Sequence, residues 1–230
     1  MQYLGNNHVG FDPAALGFPS IKGCQAIVYQ TQAGIFGFHD MKASGGATAD
    51  NAKAQAFAAF VQSVAMNHAT QALQIYGVIN REEQYLDTAG GQTEWRDCLL
   101  GVATALNFNG HIYQVRINSH VNKGDSLYVR FDVAGNQSTI RYKRWSKMAY
   151  DKTITEVLNN QEEMRKRPAT TQQKTDPVLA QQYMDNPQYM TQFPNEQVYP
   201  VRRKAKNGNG LLADEGNLNT VSPSAIKTLR

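Results

Sequence analysis

Two side chains among the first forty residues could do covalent chemistry together, the thiol of Cys24 and the imidazole of His39. A free thiol with a pKa of about 8.5 is mostly protonated at neutral pH, and an adjacent imidazolium can bring it down to roughly 3.5 to 7.5. The thiolate so formed is a usable nucleophile. The two residues lie in Gly23-Cys24-Gln25-Ala26-Ile27-Val28-Tyr29 and Gly34-Ile35-Phe36-Gly37-Phe38-His39, two apolar runs around a polar turn, which reads as a β-hairpin. A turn centred on Thr31-Gln32 would set Cys24 directly opposite His39, with Cβ atoms about 4.5 to 5.5 Å apart. A slip of one residue would send one of the two side chains to the other face. Gly23 leaves the backbone open to close approach by a substrate, and amides near it are candidates for an oxyanion hole. The bland alternative is a small buried thiol and a strand-end histidine satisfied by hydrogen bonds.

The elements that must position this pair follow from patterning. After a Gly-, Asn- and Pro-rich opening comes the hairpin, and Thr48 reads as the N-cap of an Ala-rich helix running to about Asn67. Phe57, Phe60, Val61 and Val64 share one face of that helix. A strand over Ala72 to Ile79 precedes a second helix over Thr93 to Leu106, whose apolar face carries Trp95, Cys98, Leu99, Val102 and Leu106 and so draws Cys98 into the core. Three strands follow, at His111 to Asn118, Ser126 to Val133 and Thr139 to Trp145, separated by turn signals at Asn122 to Asp125 and Gly135-Asn136. This order predicts an α+β fold with a mixed or antiparallel, sandwich-like sheet core flanked by helices. Residues 1–150 read as the catalytic domain and 151–230 as a polar C-terminal extension, with a possible helix at Thr153 to Lys166, that wraps the domain or binds a partner.

Gly-Cys, an Ile-Val strand, a Gly-containing turn and an aromatic strand ending in His fifteen positions after the Cys resemble the catalytic hairpin of the cytotoxic necrotizing factor toxins. Chemoreceptor glutamine deamidases share that fold with slightly different spacing. The resemblance covers about residues 20 to 41. It implies a bacterial effector toxin, a virulence factor that deamidates, and can transglutaminate, a glutamine of a Rho-family GTPase. Carried over residue by residue, it makes Cys24 the nucleophile and His39 the general base. The third member in the family is a threonine hydroxyl or a backbone carbonyl that orients the imidazole. The threonine's place, six residues before the Cys, is held here by Phe18. Ser20, or a main-chain carbonyl between Leu16 and Ser20, is the substitute, and Lys22 replaces the family's small polar residue before Gly-Cys.

Two other readings compete. A papain-like enzyme would use Cys24, His111 and Asp132, which fall in the right order, but its nucleophile opens a helix, whereas Gln25 to Tyr29 has strand character. A non-enzymatic secreted adaptor would use its Gln- and Asn-rich tail for binding. The composition, 41% hydrophobic and 18% charged with a net charge of +4, is that of a folding, globular chain. Its scattered Lys and Arg residues carry no nucleic-acid motif. His8, His68 and His120 have no Cys or carboxylate partners at metal-ligand spacing, so no metal and no cofactor is expected. The opening residues carry no Sec-type signal and no run reaches the roughly 18 apolar residues of a membrane span. These features lead to the expectation of a monomer that inserts in no membrane and is exported without a Sec signal, and the resemblance to the necrotizing factors implies an effector that acts on a protein in the host cytosol.

Overall fold

The structure, a computed structural model, describes residues 2–4, 8–41, 46–65, 71–80, 85, 87–117, 127–144, 199–200 and 217–230. Among the described residues, twelve strands and two α-helices follow one another as β1 (Gln2–Tyr3), β2 (His8–Asp12), β3 (Ala15–Ile21), β4 (Cys24–Thr31), β5 (Gly34–Met41), α1 (Gly46–Ala65), β6 (Ala72–Asn80), α2 (Ala89–Ala105), β7 (His111–Ile117), β8 (Leu127–Ala134), β9 (Gln137–Arg144), β10 (Tyr199–Pro200), β11 (Asn219–Thr220) and β12 (Ile226–Thr228). The strands form two sheets, ordered β1-β3-β8-β9-β11 and β10-β2-β5-β4-β6-β7-β12. Most pairings are antiparallel; β6 and β7, joined through α2, run parallel, as a strand–helix–strand crossover requires. This is the α+β, two-sheet architecture that the patterning predicts.

Alternation along the strands explains the layering. On β4 and β5, Phe38 stacks on Phe57 of α1 and Phe36 meets Phe60 edge-on, so this face of the seven-stranded sheet is covered by helix. The opposite face meets the five-stranded sheet, where Phe131 of β8 packs against Phe18 of β3 and Tyr76 of β6. The central strand β4 is buried along its whole length because helices cover one side and a second sheet the other. Each fully buried Phe or Ile in these layers contributes about 1.5 to 3 kcal/mol.

The differences from the sequence reading have local causes. Helix α2 starts at Ala89, four residues before Thr93, because Thr88 caps it: its side chain accepts from Gly91 N at 3.2 Å. Gly90 and Gly91 fall outside the helix expected from Thr93, yet the first turn tolerates them, since those N–H groups have no intrahelical partner. Helix α1 likewise begins at Gly46, placing Thr48 inside its first turn rather than at the cap. The Gly-, Asn- and Pro-rich opening, to which the patterning assigns no element, supplies β1 to β3. The C-terminal residues join the same body: β11 pairs with β9, β12 with β7, and Val221 is buried. The possible helix at Thr153 to Lys166, His68 and His120 lie outside the described residues.

Candidate active site

The hairpin forms, but its turn is Gln32-Ala33, so Thr31 pairs with Gly34 and Cys24 faces Met41 rather than His39, which pairs with Ala26. The cause lies at the turn. Gly34 opens the return strand with φ +140°, and a Cβ there would sit 2.6 Å from the carbonyl oxygen of Asp12 on the neighbouring β2. Thr31 closes the turn, its Oγ1 accepting from Ala33 N at 3.3 Å and donating to Gly34 O at 3.1 Å. Relative to the expected register the strand is displaced by two residues, an even number, so both side chains stay on one face. Cys24 and His39 become diagonal neighbours, a relation that places them about 7 to 8 Å apart at the backbone, and no hydrogen bond joins the thiol to the imidazole Nε2.

That shared face looks into the layer between the two sheets. His39 is fully buried, and Cys24 is 5% exposed, at the strand end directly after the exposed bend Lys22-Gly23. A Cβ on Gly23 would meet nothing within 4 Å, so the space next to the thiol's strand end is open. Gly23 therefore answers to no packing demand of the fold.

The imidazole is oriented by main chain. Its Nδ1 lies 2.6 Å from the carbonyl oxygen of Leu4, and Nε2, buried, has no hydrogen-bond partner among the described residues. Burial drives the ring's pKa down to about 4, with the Leu4 contact opposing part of the fall. The ring is thus neutral at pH 7. With Nδ1–H donating to Leu4, the lone pair is left on Nε2. This corrects the expectation of a resting thiolate–imidazolium pair: the buried ring is neutral rather than a standing cation.

Leu4 is held from three sides. Its amide donates to Gly17 O on β3 at 2.8 Å, its carbonyl accepts from His39, and its side chain fills the space over Gly37. A Cβ on Gly37 would be 2.7 Å from Leu4 Cδ1 and 2.6 Å from Leu16 Cδ1, so the glycine two residues before His39 is what admits the orienting residue. The orienting carbonyl is therefore that of Leu4, not one between Leu16 and Ser20; Ser20 itself lies on β3 where the pairing with β8 shifts register between Phe18 and Ile21. Phe18 packs edge-on against His39 with ring centroids 6.3 Å apart, so the position six residues before Cys24 does face the imidazole.

The alternative set of Cys24, His111 and Asp132 is not brought together. Gln25, next to Cys24, pairs with Ile79 of β6, whereas His111 pairs with Gln74 of the same strand; five residues of strand separate the two levels by about 17 Å. Asp132 belongs to the other sheet and pairs ionically with Arg130 at 2.6 Å. Cys24 also opens a strand rather than a helix.

Behind the pair, on the helix-facing side of the same strands, lies a buried polar cluster that sequence reasoning missed. Gln25 and Asp40 are directly opposed, and Gln25 Nε2 donates to Asp40 Oδ2 at 2.9 Å and Cys98 Sγ at 3.1 Å. Gln25 Oε1 accepts from Trp95 Nε1 at 3.1 Å, and Asp40 Oδ1 pairs with Lys53 Nζ at 3.0 Å. Desolvation, with the Asp40 charge adding to it, pushes the Cys98 thiol up to about 12, so it holds its proton at neutral pH. The one signal for this cluster in the sequence was Lys53 on the Phe57 side of an otherwise Ala-rich helix.

Among the described residues no three His, Cys, Asp or Glu side chains gather to hold a metal ion, and no helix is long and apolar enough to cross a membrane. No protein-family model matches the chain, and a search of curated proteins finds no match.

Proposed function

We propose that this chain is a cysteine-dependent protein-glutamine deamidase, with Cys24 as nucleophile and His39 as general base. The observation that carries the reading is the imidazole with Nδ1 at 2.6 Å from a main-chain carbonyl and a bare Nε2 on the sheet face that bears Cys24. A buried polar atom without a partner calls for an explanation, and a base awaiting a proton is one.

The chemistry runs from these groups. The Cys24 thiol gives its proton to His39 Nε2 as sulfur attacks the carboxamide carbon of a glutamine side chain. The main-chain amide at Gly23, on the exposed bend, is the candidate donor to the oxyanion. Collapse of the adduct breaks the C–N bond, the imidazolium returns the proton to the departing nitrogen, and ammonia leaves a thioester on Cys24. Water, deprotonated by His39, then attacks the thioester, giving glutamate and restoring the thiol. The Leu4 carbonyl holds the ring in the tautomer that serves both steps, and it steadies the transient positive charge. Access to Cys24 runs past Lys22 and Gly23. With the resemblance to the necrotizing-factor hairpin, the substrate is a host protein such as a Rho-family GTPase, in which exchanging an amide for a carboxylate disables a water-positioning glutamine. The chain then acts as an effector toxin in the host cytosol.

Incubation of Rho-family GTPases with the protein, followed by peptide mass analysis, tests this reading. Amide-to-acid conversion at one glutamine, lost in Cys24→Ala and His39→Gln, supports it; the absence of conversion, or conversion that survives Cys24→Ala, refutes it.

The burial of both residues favours a second reading, in which the pair only packs and the chain is a non-enzymatic adaptor. A cellular effect retained by a folded Cys24→Ala protein would select that reading.

A further inference from the structure

We infer that Gln25 and Asp40 are positioning residues for the Cys24–His39 site, locking the hairpin register from the far side of the sheet. The inference rests on the deamidase reading for its catalytic meaning, but its geometry is independent of it. Each of the two residues is the chain neighbour of one member of the pair, and each points to the opposite face because side chains alternate along a strand. Their Cα atoms are register partners, and their side chains are joined at 2.9 Å across the strands. That bond exists only in the observed register. Any slip of β4 against β5 would break it, and a one-residue slip would also put Cys24 and His39 on different faces.

The cluster is anchored to both helices behind it. Lys53 ties Asp40 to α1, while Trp95 and Cys98 tie Gln25 to α2. Gln25 and Asp40 are respectively 0% and 3% exposed. An apolar pair of similar size would fill this space with no desolvation cost, and buried ion pairs are often replaceable in that way without loss of stability. The side-chain identities therefore need a reason other than stability, and the best-attested use of such buried polar groups is to fix register. In this fold the register they fix is the one that makes His39 and Cys24 diagonal neighbours and seats the ring beneath Leu4.

Three variants of the full chain separate positioning from mere stabilisation. Gln25→Met removes the cross-strand bond, and so does Asp40→Leu/Lys53→Met by a different route. Asp40→Asn/Lys53→Met removes the charges but keeps an acceptor for the Gln25 amide. The readout is the NMR titration of the His39 ring, assigned with His39→Gln, together with kcat and KM for deamidation. Positioning predicts that the first two variants keep folded circular dichroism, move the His39 titration from its depressed value toward that of an exposed imidazole, and lower kcat at least tenfold with little change in KM. It predicts that Asp40→Asn/Lys53→Met leaves both readouts near those of the unmodified protein.

An unchanged His39 titration in folded Gln25→Met and Asp40→Leu/Lys53→Met, with only a lower Tm, overturns the inference. Loss of folded structure in both also overturns it, since the pair would then be a requirement of the fold as a whole. The two failures stay distinct: the titration reads the ring's seating even if no glutamine is ever deamidated, whereas deamidation surviving Cys24→Ala defeats the deamidase reading alone.

Discussion

Lowering the pH should destabilise this protein through one buried ring. His39 falls from the ordinary 6.5 to about 4 because the folded chain desolvates it, so between those values the unfolded chain binds a proton that the folded chain refuses. The contribution to stability is fully present above about pH 6.5, is lost as the pH falls through the window, and changes no further below about 4. At about 1.4 kcal/mol per pH unit, the whole window amounts to about 3 kcal/mol, with a slope slightly above 1 kcal/mol per unit near pH 5. That is a substantial fraction of the 5 to 15 kcal/mol typical of a domain. Urea unfolding of the native protein and of His39→Gln, measured at intervals from pH 7.5 to 4, isolates the effect, because carboxylates contribute equally to both curves and cancel in the difference. The native protein should lose about 3 kcal/mol more than the variant over this range. Parallel curves would refute the reasoning, since they would mean that the ring takes its proton as readily in the folded state as in the unfolded chain.

Three further outcomes follow from the same geometry. Iodoacetamide at pH 8 should leave Cys98 unmodified although it is the less buried of the two cysteines, because its thiol is pushed up to about 12 and keeps its proton; peptide mapping that finds Cys98 labelled ahead of Cys24, itself 5% exposed, would contradict that shift. Gly37→Ala should cost about 1 to 3 kcal/mol by overpacking and should cut deamidation with it, because its Cβ would displace the Leu4 side chain and with it the carbonyl on His39; urea melts and ammonia release check both. Thr88→Ala should lower stability by about 1 kcal/mol through the lost cap of α2 while leaving the turnover number unchanged, which thermal melts and steady-state rates would show.

How much of this was legible in the sequence depended on how local each feature is. The hairpin, both helices, β6, β7 and the β8–β9 hairpin follow from hydrophobic period and turn residues, which are set within a few positions of chain; the three strands read as one meander divide instead, β7 beside β6 in one sheet and β8 with β9 in the other, a long-range choice that no local residue marks. Register was harder, because the choice between Thr31-Gln32 and Gln32-Ala33 as the turn depends on Gly34 making room for the Asp12 carbonyl of a strand that the Gly- and Asn-rich opening did not announce. The candidate pair survived the misplaced turn only because a displacement of two residues preserves the face. Leu4 as the orienting group was invisible for a different reason: a main-chain carbonyl has no residue-type signature, and its place is fixed by a parallel pairing of β1 with β3 and by the hole over Gly37. Gln25 and Asp40 were missed because nothing local marks a polar residue on an apolar strand as buried and paired, and Lys53, on the Phe57 side of α1, signals a buried charge without naming its partner on β5.

The central claim is that Cys24 attacks an amide while His39 takes and returns its proton. Acid quenching of the protein during turnover of a deamidated substrate, followed by mass mapping of thioester-linked acyl groups, tests it most directly. The account predicts an acyl adduct on Cys24 alone that water resolves to glutamate, and none in His39→Gln, where the thiol keeps its proton. An adduct on Cys98, or turnover with no adduct and undiminished by loss of the Cys24 sulfur, would contradict it.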